Sequence, residues 1–155
     1  HILQNEMAKT VLILGYTYKA DTNTLRRSLS LDIATDLRNC GFSVYGLDPV
    51  MNCEDRSLLE EKIIHYDTVE QLPERPSVIL LMTARPEFLQ FPWAKLSDLK
   101  TTHKIKRSSQ RQIDTLVLDC QSFLKATAVL DAGLSFKALW GPTEHPDQRA
   151  GHPCC

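Results

Sequence analysis

Residues 11–49 read VLILGYTYKADTNTLRRSLSLDIATDLRNCGFSVYGLDP, and the architecture of the chain follows from this stretch. Thr10–Leu14 is a short apolar run closed by Gly15, the pattern of a parallel strand buried on both faces. A polar segment, Tyr16–Arg27, comes next. From Ser28 to Cys40, Leu29, Ile33, Ala34, Leu37 and Cys40 recur at helical spacing and predict one apolar helix face. Ser28 or Ser30 is placed to cap the start, and Gly41 to follow the end. Phe42–Leu47 is a second strand, closed by Asp48-Pro49.

The alternation continues downstream. Asp55–Ile64 predicts a helix, and Asp67-Thr-Val-Glu70 has the form of a capping box before a short helix that Pro73 and Pro76 stop. Ser77–Met82 is a third buried strand ending at Thr83, and Glu87–Leu99 holds a helical turn or two around Phe91–Leu96. Lys100–Gln112 is polar and basic. Thr115–Leu118 resumes the strand pattern and ends at Asp119. Phe123–Asp131 reads as helix, Gly133 breaks it, and Leu134–Trp140 reads as a last strand. Strands and helices alternating at this spacing predict an α/β fold. We expect a Rossmann-like three-layer sandwich with a mainly parallel sheet of about five strands. The expected organisation is an extension or linker over 1–9, one domain over 10–141, and a disordered tail over 142–155, which is polar and rich in Pro and Gly.

Composition narrows the function classes. The chain has 155 residues, 43% of them hydrophobic, and a net charge of −1, so no global field draws nucleic acid or an anionic membrane. It contains no apolar run long enough to span a bilayer, and HILQNEMAK lacks a signal-peptide apolar core. A soluble cytoplasmic protein is the expectation. Five cysteines without framework spacing fit unpaired thiols in a reducing compartment. The terminal Cys154 and Cys155, near His145 and His152, match no standard zinc spacing, so no metal site is expected. His65 and His103 read as surface residues, the basic run 100–111 as a solvated loop without interleaved aromatics, and Trp93 and Trp140 as core or domain-contact anchors.

In open α/β sheets, ligands bind outside the carboxyl ends of the strands, which singles out the segment after strand one. A dinucleotide fingerprint there would read G-x-G-x-x-G. This chain has Gly15-Tyr-Thr-Tyr-Lys19, with only the first glycine. Asp48 ends strand two, where an acid would take a ribose, but without the glycines it is weak evidence for NAD. The segment offers side chains instead. Lys19 is a mobile charge suited to phosphate, and Arg26 a planar fork suited to phosphate or carboxylate. Tyr16 and Tyr18 are candidates to stack on a ring, and Asp21 and Thr22 to fix the loop's path.

The order Gly15-Tyr-Thr-Tyr-Lys19-Ala-Asp21-Thr22-Asn-Thr-Leu-Arg26-Arg-Ser28 resembles the C-terminal domain of the UDP-glucose/GDP-mannose dehydrogenase family, whose stretch looks like G-x-x-[FY]-K-x-D-T-x-D-x-R-x-S. As here, a helix, a Gly and a strand ending in Asp-Pro follow it. Val78–Phe88, Leu116–Leu124 and Gly133–Gly141 are similar to later family segments, more loosely. Enzymes of that family oxidise the C6 alcohol of a nucleotide sugar in NAD-dependent steps, with NAD and the catalytic Cys in the first domain. The resemblance implies that Tyr18 and Lys19 contact a UDP-sugar or related nucleotide sugar, that Asp21 and Thr22 belong to that site, and that Arg26 reaches towards NAD held by an N-terminal NAD-binding domain of the same or another chain. It also implies a possible oligomer and no catalytic residue in this chain.

The departures are specific. Thr24 replaces the family's second Asp, and Arg27 stands where an acid is common. Cys120 and Gln121 replace the Gly and Arg of Asp-Gly-Arg. Gln121 keeps hydrogen-bonding capacity towards substrate but not charge. Cys40 reads as a core thiol, and Cys120, at the ligand-facing end of strand four, as a buried inert one. Two readings stand: a nucleotide-sugar-binding domain that catalyses nothing alone, or a diverged non-enzymatic interaction or regulatory module that kept the fold. A complete small NAD enzyme is disfavoured by the missing glycines.

Overall fold

The computed structural model describes residues 10–17, 28–51, 59, 61–100, 115–139 and 143–144. The elements are β1 (Thr10–Leu14), α1 (Leu29–Asn39), β2 (Ser43–Leu47), β3 (Ile64–His65), β4 (Val78–Leu81), β5 (Leu116–Asp119), α2 (Ala126–Asp131), β6 (Ser135–Ala138) and β7 (Thr143–Glu144). They form one sheet of order β3-β2-β1-β4-β5-β6-β7. Every pairing is parallel except the antiparallel β6–β7 edge. The fold is the expected Rossmann-like α/β sandwich. Its five longer strands are those read from the sequence, and the two-residue β3 and β7 extend the edges. β7 lies just past residue 141. Among the described residues, no helix is long and apolar enough to cross a membrane.

Period-two alternation along β1 builds two cores. Val11 and Ile13 join Val44, Val78 and the α1 residues Leu31, Ala34 and Leu37 on one face. Leu12 and Leu14 join Leu47, Ile79, Leu81 and Val117 on the other, under Phe88, Trp93, Leu96, Val129 and Leu130. Leu12, Ile13 and Leu14 have no exposure at all, and each such side chain contributes about 1.5–3 kcal/mol by burial. The second face is covered by 3-10 helices at Val69–Gln71, Pro86–Gln90 and Trp93–Asp98 and by α2. The turn expected around Phe91–Leu96 thus becomes two 3-10 segments. Pro92, which carries no N–H, separates them.

Three local expectations need correction. The apolar face of α1 runs through Ser30, Leu31, Ala34 and Leu37; Leu29 is 65% exposed and Cys40 is exposed, so Cys40 is not a core thiol. Leu31, Ala34 and Leu37 pack on the core, and Ser30 is buried beside them with its hydroxyl 3.4 Å from the Gly15 carbonyl. The helix expected through Ile64 does not include that residue, because Ile64 and His65 pair with Tyr45 and Gly46 as β3. The capping box does not form as read. Thr68 is the N-cap without a side-chain cap bond, and the Gln71 side chain accepts the Asp67 N–H at 2.9 Å.

Candidate functional site

Leu14, Leu47, Leu81 and Asp119 are aligned across the sheet, so β1, β2, β4 and β5 end at one level. The chain leaves β1 for α1 and β2 on one side, and β4 returns on the other. The carboxyl end of β1 is therefore the switch point where such sheets bind ligands. Gly15 opens the turn there with φ +73°, and a Cβ on it would lie 2.7 Å from the Thr83 Cβ. Only glycine permits both that dihedral and that approach.

Behind Gly15, the backbone is tied on every side. The Gly15 N–H donates to Leu47 O at 2.9 Å. The Tyr16 and Thr17 N–H groups donate to Asp48 Oδ2 at 2.9 and 3.0 Å, as does the Thr17 hydroxyl at 3.0 Å. Ser28 donates its hydroxyl to the Tyr16 carbonyl rather than capping α1. The Thr83 hydroxyl lies 3.3 Å from Gly15 O and 3.1 Å from Thr17 O. Arg85 faces Asp48 Oδ1 through Nε at 3.2 Å and donates from Nη2 to Thr17 Oγ1. Arg85 is 1% exposed and Asp48 4%. This is a buried ion pair spanning the loops after β4 and β2, with Thr17 of the β1 loop between them.

That arrangement answers the question of NAD at the end of β1. The acid in the ribose-binding position is consumed: one Asp48 oxygen takes three donors from residues 16 and 17, and the other takes Arg85 and the Val50 N–H at 3.3 Å. The Asp48 carboxylate is therefore engaged within the protein rather than held open for a ribose.

Tyr16 is not the stacking platform the sequence suggested. It is wholly buried, and its hydroxyl bonds His65 Nδ1. Gly46 makes the room, since a Cβ there would sit 2.7 Å from Tyr16 Cε1 and 2.4 Å from Ile63 Cγ2. His65, expected on the surface, has a side chain 7% exposed and reaches Asp67 Oδ1 from Nε2 at 3.2 Å. Its ring meets the Tyr16 ring edge-on, with centroids 6.0 Å apart.

Of the candidate binding residues, Tyr18, Lys19, Asp21, Thr22 and Arg26 lie outside the described residues, as do Thr24 and Arg27. Gln121 lies at the carboxyl edge after β5. Its Nε2 donates to Met82 O at 2.9 Å, which ties the loop after β5 to the end of β4. Asp119, 1% exposed, accepts the N–H groups of Gln121, Phe123 and Leu124 at 2.9, 2.7 and 2.7 Å. Cys120 beside it is half-buried, and burial first, then the Asp119 charge, pushes its thiol pKa up. An inert thiol fits that setting. Cys53, Cys154, Cys155, His103, His145, His152, Trp140 and the basic residues 104–111 lie outside the described residues. Among the described residues, no group of three or more His, Cys, Asp and Glu is placed for a metal ion.

A groove of about 340 Å³ lies beside the switch point, lined among others by Pro49, Phe88, Phe91 and Pro92. Its rim carries Asp67, Glu70 and Glu87 against Lys95, which pairs with Glu70. That charge balance is poor for pyrophosphate. Sequence reading missed Thr17, Thr83 and Arg85. The available signal was a cation two residues beyond Thr83, directly after a buried strand.

Residues 12–115 match the model for the UDP-glucose/GDP-mannose dehydrogenase family, UDP binding domain. A UDP-glucose 6-dehydrogenase of Rickettsia bellii is 25% identical over 129 residues, 83% of this chain and 27% of the relative. UDP-glucose 6-dehydrogenase TuaD of Bacillus subtilis is 28% identical over 98 residues, 63% of this chain and 21% of the relative. The chain thus spans about a quarter of the length of these curated relatives. A solved UDP-D-ManNAc dehydrogenase from Pyrococcus horikoshii superposes with a TM-score of 0.57 at 22% identity, covering 86% of this chain and 26% of that one. A UDP-glucose dehydrogenase from Pyrobaculum islandicum gives 0.51 at 22% identity, covering 72% and 22%. The family match spans most of the chain and includes the turn after β1, so the chain belongs to the UDP-glucose/GDP-mannose dehydrogenase family and corresponds to its UDP binding domain.

Proposed function

We propose that the chain binds the nucleotide half of a UDP-sugar or related nucleotide sugar and performs no catalysis alone. Tyr18 and Lys19 contact the nucleotide sugar, Asp21 and Thr22 shape that contact, and Gln121 adds a hydrogen bond from the loop after β5. Arg26 faces NAD held by an N-terminal NAD-binding domain, which completes the oxidoreductase. Residues 10–141, with the β7 edge at Thr143–Glu144, are the folded domain, and the setting is cytoplasmic and reducing. The observation that carries the reading is the fastened Gly15–Thr17 turn at the switch point, which launches a segment of phosphate-seeking side chains.

Calorimetric titration with UDP, UDP-glucose and NAD, beside Lys19→Ala, tests it. We expect UDP-type binding that Lys19→Ala abolishes, and no binding of NAD by the chain alone. Binding of NAD without UDP would overturn the reading. One observation favours the diverged, non-enzymatic module instead. Gln121 stands where the family has an Arg, and its Nε2 is turned to the Met82 carbonyl. Absence of all nucleotide binding from the chain joined to an NAD-binding domain would select that reading.

A further inference from the structure

We infer that Arg85 is a positioning residue for the proposed nucleotide site, fixing Gly15–Thr17 at the exit of β1, which directly precedes the proposed binding residues in the sequence. Its functional consequence rests on the nucleotide-binding reading; its structural part does not. A charged side chain 1% exposed is expensive to bury, and an apolar residue of similar volume is often as stable or more so in such a place. What an apolar residue lacks is the fork. Arg85 donates from Nη2 to Thr17 Oγ1 and sets its Nε 3.2 Å from Asp48 Oδ1 as an ion-pair contact without hydrogen-bond geometry, while Thr17 Oγ1 donates to Asp48 Oδ2. The three side chains close a ring across the ends of β4, β1 and β2.

The ring completes a full set of main-chain ties. All three N–H groups and all three carbonyls of Gly15, Tyr16 and Thr17 have partners, supplied by Leu47, Asp48, Ser28, Ser30 and Thr83. Four of the six groups belong to Tyr16 and Thr17, and the two N–H groups depend on the Asp48 carboxylate that Arg85 orients. The residues proposed to bind the nucleotide follow Thr17 directly in the sequence, and small misplacements of binding groups cost affinity steeply.

The test uses Arg85→Lys in the full chain. It keeps a cation near Asp48 but loses the planar fork. Amide hydrogen exchange is compared at Tyr16 and Thr17 and at Val117 and Leu118 of β5. UDP is titrated into the wild type, Arg85→Lys, Lys19→Ala and the double variant. We expect exchange at Tyr16 and Thr17 to rise about tenfold or more, with β5 unchanged, on the scale of one lost charge-assisted hydrogen bond. UDP affinity should fall by about as much, and Lys19→Ala should cost less in the Arg85→Lys background than in the wild type, because neighbours acting together are not additive. Equal acceleration at all four amides, or a Lys19→Ala effect of the same size in both backgrounds, would reduce Arg85 to general stability and overturn the inference. If Arg85→Lys does not fold, Thr17→Val opens the same ring without touching the charges and is held to the same outcomes. A wild-type chain without Lys19-dependent UDP binding would sink the nucleotide reading, and the exchange comparison would then decide alone whether Arg85 fixes the exit of β1.

Discussion

Asp48 and Asp119 sit at the carboxyl ends of β2 and β5, both are buried, and both collect main-chain N–H groups from a turn. They differ in what they fasten. Asp119 takes three amides from its own loop, Gln121–Leu124, which leads straight into α2, so the contact is local. Asp48 takes its amides from Tyr16 and Thr17, on another strand, and carries a buried guanidinium from a third. The first is a turn brace. The second joins three strands at the switch point. An acid at a strand end therefore has no fixed meaning: in one place it shapes a loop, and in the other it is spent on holding the stem of the candidate site.

The comparison is most exposed to alanine at the two acids. Asp48→Ala leaves Arg85 buried without its counter-charge and should cost about 3–5 kcal/mol. Asp119→Ala leaves three amides in a partly exposed loop and should cost about 1–3 kcal/mol. Urea unfolding of both variants measures the gap, and equal losses would break the distinction. A smaller effect sharpens the Asp48 side. Tyr16→Phe removes the hydroxyl shared with His65 and should lower stability by about 1 kcal/mol, read from the same unfolding curves. The least effect belongs to the Asp119 side. Burial and the Asp119 charge both raise the Cys120 thiol, so at pH 8 it should alkylate more slowly than the exposed Cys40. Asp119→Asn should speed that reaction only modestly, since burial is the larger cause. Peptide mass spectrometry after timed iodoacetamide treatment follows both sites.

Most of the fold was legible because it rests on local pattern. β1 spans the very residues of the apolar run, and the helix after it agrees within a residue at either end. Parallel strands buried on both faces announce themselves as unbroken apolar runs. The helix face was misphased because Leu29 and Leu31 are equally apolar in sequence, and only the packing shows that Leu31, beside the buried Ser30, faces the core while Leu29 faces out. The site was less legible for a related reason. Asp48 reads as a ribose acceptor until Arg85 is brought beside it, and nothing local to either residue reveals that meeting. Tyr16 and His65 were misplaced in the same way, since the Tyr16 ring takes the space beside the bare Gly46 and His65 meets its hydroxyl from β3. Partnerships between distant segments decide whether a polar group faces a ligand or the protein itself.

The central position of β1 bears on how the domain is made. Synthesis delivers β1, α1 and β2 first, and Asp48 with them, while Thr83 and Arg85 arrive only with β4. Until β4 docks against β1, the acid has no buried counter-ion and the Thr17 carbonyl lacks the Thr83 hydroxyl. The first β-α-β unit is therefore unfinished, and a truncated chain ending before residue 78 would carry Asp48 and Thr17 without their Arg85 and Thr83 partners. The buried charge pair is thus a property of the closed sheet, absent from any unit that stops short of β4.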